Sequence, residues 1–125
     1  MLYLDTHVVV WLYQKDESRL AGRPRALVEE HDLLISPIVL LELEYLYETK
    51  RIVETGRTIV DDLAARIHLG LCTRAFQDVA RMAAGIRWTR DPFDRIITAQ
   101  AALADAMLLT KDEDILAHFP HAVWQ

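Results

Sequence analysis

The sequence has few of the features that mark disulfide-rich, membrane or low-complexity proteins. A single cysteine, Cys72, excludes an internal disulfide and favours a reducing, cytoplasmic compartment. The longest apolar run, residues 8–13, is far too short to span a bilayer, and no basic segment precedes the apolar start, so we expect neither a membrane span nor a signal peptide. Glycine and proline number only four each, and we find no linker or repeat.

Positive charge is also in short supply, since 14 Lys and Arg stand against 19 Asp and Glu for a net charge of −5. That balance argues against broad, non-specific binding of nucleic acid through the field of the whole protein. It does not exclude a nuclease, because bound cations can neutralise a group of acids. Hydrophobic residues make up 52% of the 125 positions, so a sizeable core can form. We expect one domain over residues 1–125.

Short apolar runs alternate with helical patterns along the whole chain. We expect strands at residues 1–4, 33–35, 71–73, 107–109 and 122–124. We expect helices at residues 8–13, 24–30, 36–49, 57–69 (closed by Gly70), 75–86, 92–104 and 114–118. This alternation predicts an α/β fold with a mainly parallel sheet. In such sheets, ligands bind beyond the carboxyl ends of the strands.

Two aspartates stand where predicted strands end. Asp5 directly follows the first strand, and Asp112 follows the fourth after two intervening residues. Taken alone, Asp5 fits simple capping of the next helix slightly better than catalysis. The run from Asp112 to Asp114 also fits a solvated turn, so Asp112 is of interest only for its place after a strand.

Two further acids are predicted on inward helical faces. Glu42 shares a face with Ile38 and Tyr45, and a carboxylate on an apolar face needs a partner or a metal ion. A half-buried pair with an arginine is the alternative, while Glu44 on another face is expected to be solvated. Asp94 lies on the first turn of a helix, where the helix dipole favours an anion. Asp91 is expected to cap this helix, and the alternative for Asp94 is a simple partner of the helix dipole or an ion pair with Arg95.

Together, these four carboxylates predict a metal site. Mutually repelling acids in one place need cations, and oxygen-only ligands suit Mg²⁺ or Mn²⁺ better than zinc. The chemistry that follows most directly is metal-assisted hydrolysis of a phosphodiester. No nucleophile elbow or glycine-rich phosphate loop is present.

The ordered set of motifs resembles the PIN-domain family and, within it, the VapC-like toxins of toxin–antitoxin pairs. The resemblance covers essentially the whole chain, and its specificity lies in the order and spacing of these pieces: Leu4-Asp5-Thr6-His7 with Trp11, Ser36 with Glu42, Asp91-Pro92-Phe93-Asp94-Arg95, Leu109-Thr110-Lys111-Asp112 and Val123-Trp124.

The resemblance implies a three-layer α/β/α sandwich and a Mg²⁺-dependent endoribonuclease, which is a hydrolase. It also implies a toxin that forms a homodimer and is inhibited by a small antitoxin. By position, the acidic quartet that holds metal and acts in catalysis is Asp5, Glu42, Asp94 and Asp112, with Asp5 and Asp94 as the first choices for direct ligands. Three hydroxyls would support the site, those of Thr6, Ser36 and Thr110.

Other readings of the same residues remain open. A metal-dependent phosphatase with an aspartyl nucleophile is disfavoured because position 7 is His7 rather than a second acid. A module that binds RNA or protein without cutting is the other alternative. Four cations near the acids are candidates for holding phosphates, and all of them also have salt-bridge alternatives: Arg87, Arg90, Arg95 and Lys111. Trp88 is a candidate for base stacking or packing, and Tyr45 for a dimer or antitoxin surface or for packing.

Overall fold

The computed structural model describes all residues, 1–125, and contains one five-stranded sheet. Every neighbouring pair of strands is parallel, and the strand order is β3-β2-β1-β4-β5. The strands are short: β1 (Leu2–Leu4), β2 (Leu33–Ile35), β3 (Gly70–Leu71), β4 (Met107–Leu109) and β5 (Ala122–Val123). The predicted mainly parallel α/β fold is confirmed.

Seven helices connect or follow the strands and flank the sheet. They are α1 (Thr6–Gln14), α2 (Arg23–Glu30), α3 (Ile38–Glu48), α4 (Gly56–Ile67), α5 (Phe76–Ala84), α6 (Pro92–Leu103) and α7 (Glu113–His118). All three residues of β1 are buried, although successive side chains point to opposite faces of a strand. Both faces of the sheet are therefore covered, as a parallel sheet requires. No helix is long and apolar enough to cross a membrane.

The central strands end at the same level. Leu4 of β1 lies opposite Leu109 of β4, and the Asp5 N–H donates to the Leu109 carbonyl at 3.0 Å. The residues that follow these strands, Asp5 and Thr110, are therefore neighbours across the sheet. The core beneath this edge contains fully buried leucines and isoleucines such as Leu4, Ile35 and Leu108. This packing fixes the position of the polar residues beyond the strand ends.

The end of α4 differs from the prediction. Gly70 was expected to close this helix, but the helix ends at Ile67, and His68 adopts the left-handed conformation with φ 58°. Gly70 instead begins β3, where an added Cβ would lie 2.9 Å from a Leu34 methyl group. A larger residue at position 70 would therefore displace the Leu34 side chain, and β3 starts one residue earlier than predicted.

Candidate active site

A cavity of about 690 Å³ opens beyond the carboxyl ends of β1 and β4. We call it the acidic cavity, since five carboxylates are among the side chains that line it: Asp5, Glu42, Asp91, Asp94 and Asp112. The four acids predicted from the sequence therefore converge, although they are up to 107 positions apart in the chain (112 − 5). Asp91 is the fifth acid.

Asp5 is the most deeply buried of these acids, at 7% exposure. Its Oδ1 accepts the Thr6 backbone N–H at 2.8 Å, and its Oδ2 accepts the Thr110 hydroxyl at 2.6 Å. Burial raises the pKa of the Asp5 carboxyl, and these two hydrogen bonds oppose the rise. The same carboxylate caps the start of α1, so capping and a role in the cavity are combined in one residue.

Glu42 projects from the middle of α3 into the acidic cavity and is half-buried. The Thr6 hydroxyl donates to its Oε1, and no arginine pairs with it. Burial raises the pKa of Glu42 to about 7, with further contributions from the charges of Asp5 and Asp91. The alternative of a half-buried ion pair with an arginine is therefore wrong for Glu42.

Asp94 lies on the first turn of α6 and accepts no hydrogen bond through its side chain. Burial raises its pKa to about 8, and the charges of Asp91, Asp5, Asp112 and Glu42 add to the rise. The alternative ion pair with Arg95 is not formed, because Arg95 donates to the carbonyls of Ala83 and Ala84, each at 3.2 Å. Asp94 is thus a carboxylate without a neutralising partner.

Asp112 and Asp91 each cap the start of a helix and also line the acidic cavity. Asp112 Oδ1 accepts the Ile115 N–H at 2.9 Å at the start of α7, while its other oxygen remains free. Asp91 Oδ1 accepts the Phe93 N–H at 2.8 Å at the start of α6. Asp91 is exposed and fits the predicted capping role, and its charge adds to the negative potential around Asp94.

Two of the three predicted supporting hydroxyls reach the acids. Thr6 bonds Glu42, and Thr110 bonds Asp5 while also accepting the Asp112 N–H at 3.0 Å. Both threonines are completely buried. Ser36 does not reach the cavity, because its hydroxyl donates to the side chain of Gln100. The structure therefore places Ser36 in a separate polar contact between the β2–α3 connection and α6.

Only some of the cations and aromatic residues that the sequence suggested for the site line the acidic cavity. His7 and Lys111 line the acidic cavity, but Arg87, Arg90 and Arg95 do not. The ring of Trp88 stacks on His118, with centroids 5.1 Å apart and planes 5° apart. That contact lies outside the residues of the cavity, so Trp88 is not positioned as a wall of this site.

Arg51 is a cavity residue that the sequence analysis missed. A helix that continued to residue 51 would place Arg51 on the same solvated face as Glu44, but α3 ends at Glu48 and the chain turns back. No local sequence signal marks this turn, because Lys50 adopts a left-handed conformation that its residue type does not favour. Glu44 is also not simply solvated, since it accepts the Gly56 N–H at 2.8 Å at the start of α4. Tyr45 and Phe93 complete one wall of the cavity.

The donor atoms suit a hard divalent cation. Free oxygens remain on Glu42, Asp94 and Asp112, all are carboxylate oxygens, and no sulfur ligand lines the cavity. As they stand, no three Asp, Glu, His or Cys side chains are grouped so that they could hold one ion. Like charges repel, so a cation bound between these carboxylates would draw them closer together. The residues therefore fit a cation by donor chemistry and convergence.

Comparison with known proteins identifies the family. The family model for the PIN domain matches residues 2–121, and the chain belongs to the PIN domain family. PIN domains are generally nucleases and generally use divalent metal ions. A comparison with curated protein sequences gives no match.

Solved structures with a similar fold include two complexes. A toxin–antitoxin complex from Klebsiella pneumoniae has a chain that matches with a TM-score of 0.69 and 21% identity, over 98% of this chain and 96% of that chain. VapBC2 from Rickettsia felis, bound to a DNA fragment from its promoter, matches with a TM-score of 0.65 and 20% identity, over 100% of this chain and 98% of that chain. The predicted PIN-like fold is confirmed by these likenesses.

Proposed function

We propose that this single PIN-like domain, residues 1–125, is a Mg²⁺- or Mn²⁺-dependent endoribonuclease. The observation that carries the proposal is the convergence of Asp5, Glu42, Asp94 and Asp112 on one cavity without a neutralising basic partner. Buried carboxylates of like charge are destabilising unless a cation compensates them. The presence of these four carboxylates at the edge of the sheet where ligands bind is therefore best explained by metal-dependent chemistry.

In this proposal, Asp5 and Asp94 are the primary metal ligands, and Glu42 and Asp112 complete the quartet. When bound, the cation supplies charge neutralisation and activation of water for hydrolysis of the phosphodiester. The protein's own contribution is to hold the ligands. The hydroxyls of Thr6 and Thr110 fix Glu42 and Asp5 in orientation, as partners of metal ligands commonly do. Lys111 at the cavity rim offers a positive charge to a phosphate.

We further propose that the enzyme is the toxin of a toxin–antitoxin pair, forms a homodimer and is bound by a small antitoxin protein. The support is the likeness in fold to chains of toxin–antitoxin complexes over nearly their full length. The equal coverage of both chains means that the similarity includes the whole domain rather than the sheet alone. A short open reading frame next to the gene is the expected source of the antitoxin.

Cleavage of total RNA tests the catalytic proposal. We expect the wild type to cut RNA with Mg²⁺ or Mn²⁺ and to lose this activity with EDTA. Asp5→Asn and Asp94→Asn are each expected to reduce the cleavage rate at least about 100-fold, because each removes a charged ligand at the reacting centre. Asp62→Asn, at a surface acid paired with Arg66, is the matched control and is expected to cut like the wild type. Equal cleavage by all four proteins would contradict the assignment.

A further inference from the structure

The hydroxyl of Thr98, in the middle of α6, is a buried polar group without a partner. Thr98 is 3% exposed, and its Oγ1 is the only fully buried side-chain oxygen or nitrogen of the chain that forms no hydrogen bond. A threonine inside a helix often donates to the carbonyl four residues earlier, but Thr98 does not. Since an unpaired buried hydroxyl destabilises a fold, its presence needs an explanation.

The two other buried threonines both support acids of the acidic cavity. Thr6 donates to Glu42, and Thr110 donates to Asp5. Asp94, by contrast, is the acid of the quartet whose carboxylate accepts no hydrogen bond at all. The protein therefore holds one buried hydroxyl that lacks an acceptor and one half-buried carboxylate that lacks a donor.

These two side chains lie on the same face of α6. Thr98 follows Asp94 by four residues, a spacing that puts the Cβ atoms about 5–6 Å apart. Side chains of an α-helix lean towards its N-terminus, so the Thr98 side chain is directed towards the turn that carries Asp94. The neighbours on this face, Ile97 and Ala101, are buried and apolar. Asp94 is also the only acid within α6, which makes it the one carboxylate of this helix that Thr98 can serve.

We propose that Thr98 is a positioning residue for Asp94, whose hydroxyl donates to one carboxylate oxygen while the other oxygen binds the divalent cation. The inference rests on the proposed metal-dependent function and adds a residue to it. A cation at Asp94 keeps the carboxylate charged, and a charged acceptor forms the stronger hydrogen bond. Thr98 would then complete a set in which Asp5, Glu42 and Asp94 each receive a bond from one buried threonine.

Mn²⁺ titration by isothermal calorimetry tests this role without RNA. Thr98→Val keeps the shape of the side chain and removes the hydroxyl, and it is expected to raise the Kd for Mn²⁺ about tenfold, as loss of a partner of a metal ligand commonly does. Thr98→Ser retains the hydroxyl and is expected to recover most of that affinity. Thr73→Val, at an exposed position, is the matched control and is expected to bind like the wild type. Wild-type affinity in Thr98→Val, or an equal loss in Thr98→Ser, would overturn the proposal.

Thermal unfolding without metal separates positioning from a purely structural role. Thr98→Val is expected to unfold at the wild-type temperature or above it, because the hydroxyl that it removes has no partner in the metal-free protein. A lower Tm with unchanged Kd for Mn²⁺ would show a structural hydroxyl and would contradict the proposal.

A double variant tests whether Thr98 acts through Asp94. Adding Thr98→Val to Asp94→Asn is expected to leave the residual affinity for Mn²⁺ unchanged, because the carboxylate that Thr98 serves is already lost. A tenfold loss in both backgrounds would mean that the hydroxyl acts on another ligand, and the proposal would be wrong.

Cleavage measured on the same proteins separates this proposal from the ribonuclease. Mn²⁺ binding that depends on the Thr98 hydroxyl in a protein that cuts no RNA would support the positioning role and contradict the ribonuclease. RNA cleavage and Mn²⁺ binding that are both indifferent to Thr98→Val would support the ribonuclease and contradict the positioning role. If both proposals hold, Thr98→Val is expected to cut RNA about tenfold more slowly at limiting Mn²⁺ and to approach the wild-type rate at saturation.

Discussion

The surface acids near α2 and α4 form ion pairs with arginines, whereas the acids of the acidic cavity form none. At the surface, Asp62 pairs with Arg66 at 2.7 Å, Glu29 with Arg25 at 3.2 Å, and Asp16 with Arg19 at 3.1 Å. In the cavity, none of the acids has such a partner, although Asp5, Glu42 and Asp94 are more deeply buried than these surface acids.

The paired surface acids contribute to solubility and local structure, whereas the unpaired acids of the cavity lower the stability of the fold. At the surface, a side-chain hydrogen bond from Arg66 lowers the pKa of Asp62, and one from Ser18 lowers the pKa of Asp16. In the cavity, burial and mutual repulsion instead raise the pKa of Glu42 and Asp94. A fold selected for stability alone would have neutralised the second group. Their persistence in one cavity is the physical argument for a bound cation.

Removal of one buried hydroxyl is expected to have the largest effect on stability. Thr110→Val keeps the side-chain shape but deletes the hydrogen bond to Asp5 and the acceptor of the Asp112 N–H. A bond to a charged group alone contributes about 1.5–3 kcal/mol. We expect a loss of about 2 kcal/mol in urea unfolding and a further rise in the pKa of Asp5. Thr73→Val, at an exposed position, is the control with little effect. Equal stability of the two variants would show that the Thr110 bond is not a significant support.

Neutralising Asp94 is expected to have a smaller effect of the opposite sign. Burial raises the pKa of Asp94 from its ordinary value of 3.8 to about 8, so between these pH values the folded protein keeps a proton that the unfolded chain has lost. Its contribution to stability is therefore complete below about pH 4 and disappears as the pH rises through about 8. Without divalent cations, Asp94→Asn is expected to raise the free energy of unfolding by about 1–2 kcal/mol at pH 9. This is less than the free energy that corresponds to the whole pKa shift of Asp94, because the carboxyl is partly solvated.

Adding Mg²⁺ to the Asp94→Asn variant tests whether the cavity acids, unlike the paired surface acids, bind the metal. Mg²⁺ is expected to stabilise the wild type increasingly as the pH rises from 6 to 8, because bound protons must leave Glu42 and Asp94 first. Asp94→Asn is expected to lose this stabilisation, while Asp62→Asn keeps it and unfolds close to the wild type. Thermal unfolding at several pH values measures both effects. A stabilisation by Mg²⁺ that is identical in the two variants would place the metal elsewhere.

The sequence predicted most of the fold because its signals are local. Apolar triplets such as those ending at Leu4 and Leu109 identify strands, and a capping residue before Pro92 identifies the start of α6. Since the carboxyl ends of parallel strands share an edge, Asp5 and Asp112 could be placed together from the same patterns. The inward directions of Glu42 and Asp94 followed from helical spacing.

What the sequence could not predict depends on contacts between distant elements. Ser36 was expected to support the acids, yet its partner is Gln100, which lies 64 positions away. Arg51 reaches the cavity only because Lys50 takes a left-handed conformation that its residue type does not favour. The partner of Arg95 was likewise a pair of backbone carbonyls rather than Asp94. Each error concerns a side chain whose partner is set by tertiary packing.

A crystal structure of the protein grown with Mn²⁺ tests the central claim most directly. Anomalous scattering locates the metal without reference to the surrounding density. The account predicts Mn²⁺ in the acidic cavity, bound by Asp5 and Asp94, with Glu42 and Asp112 drawn towards it, and no Mn²⁺ at the paired acids of the surface. A cavity free of Mn²⁺ at concentrations that occupy surface carboxylates would contradict the claim that these four acids are kept unpaired for a metal.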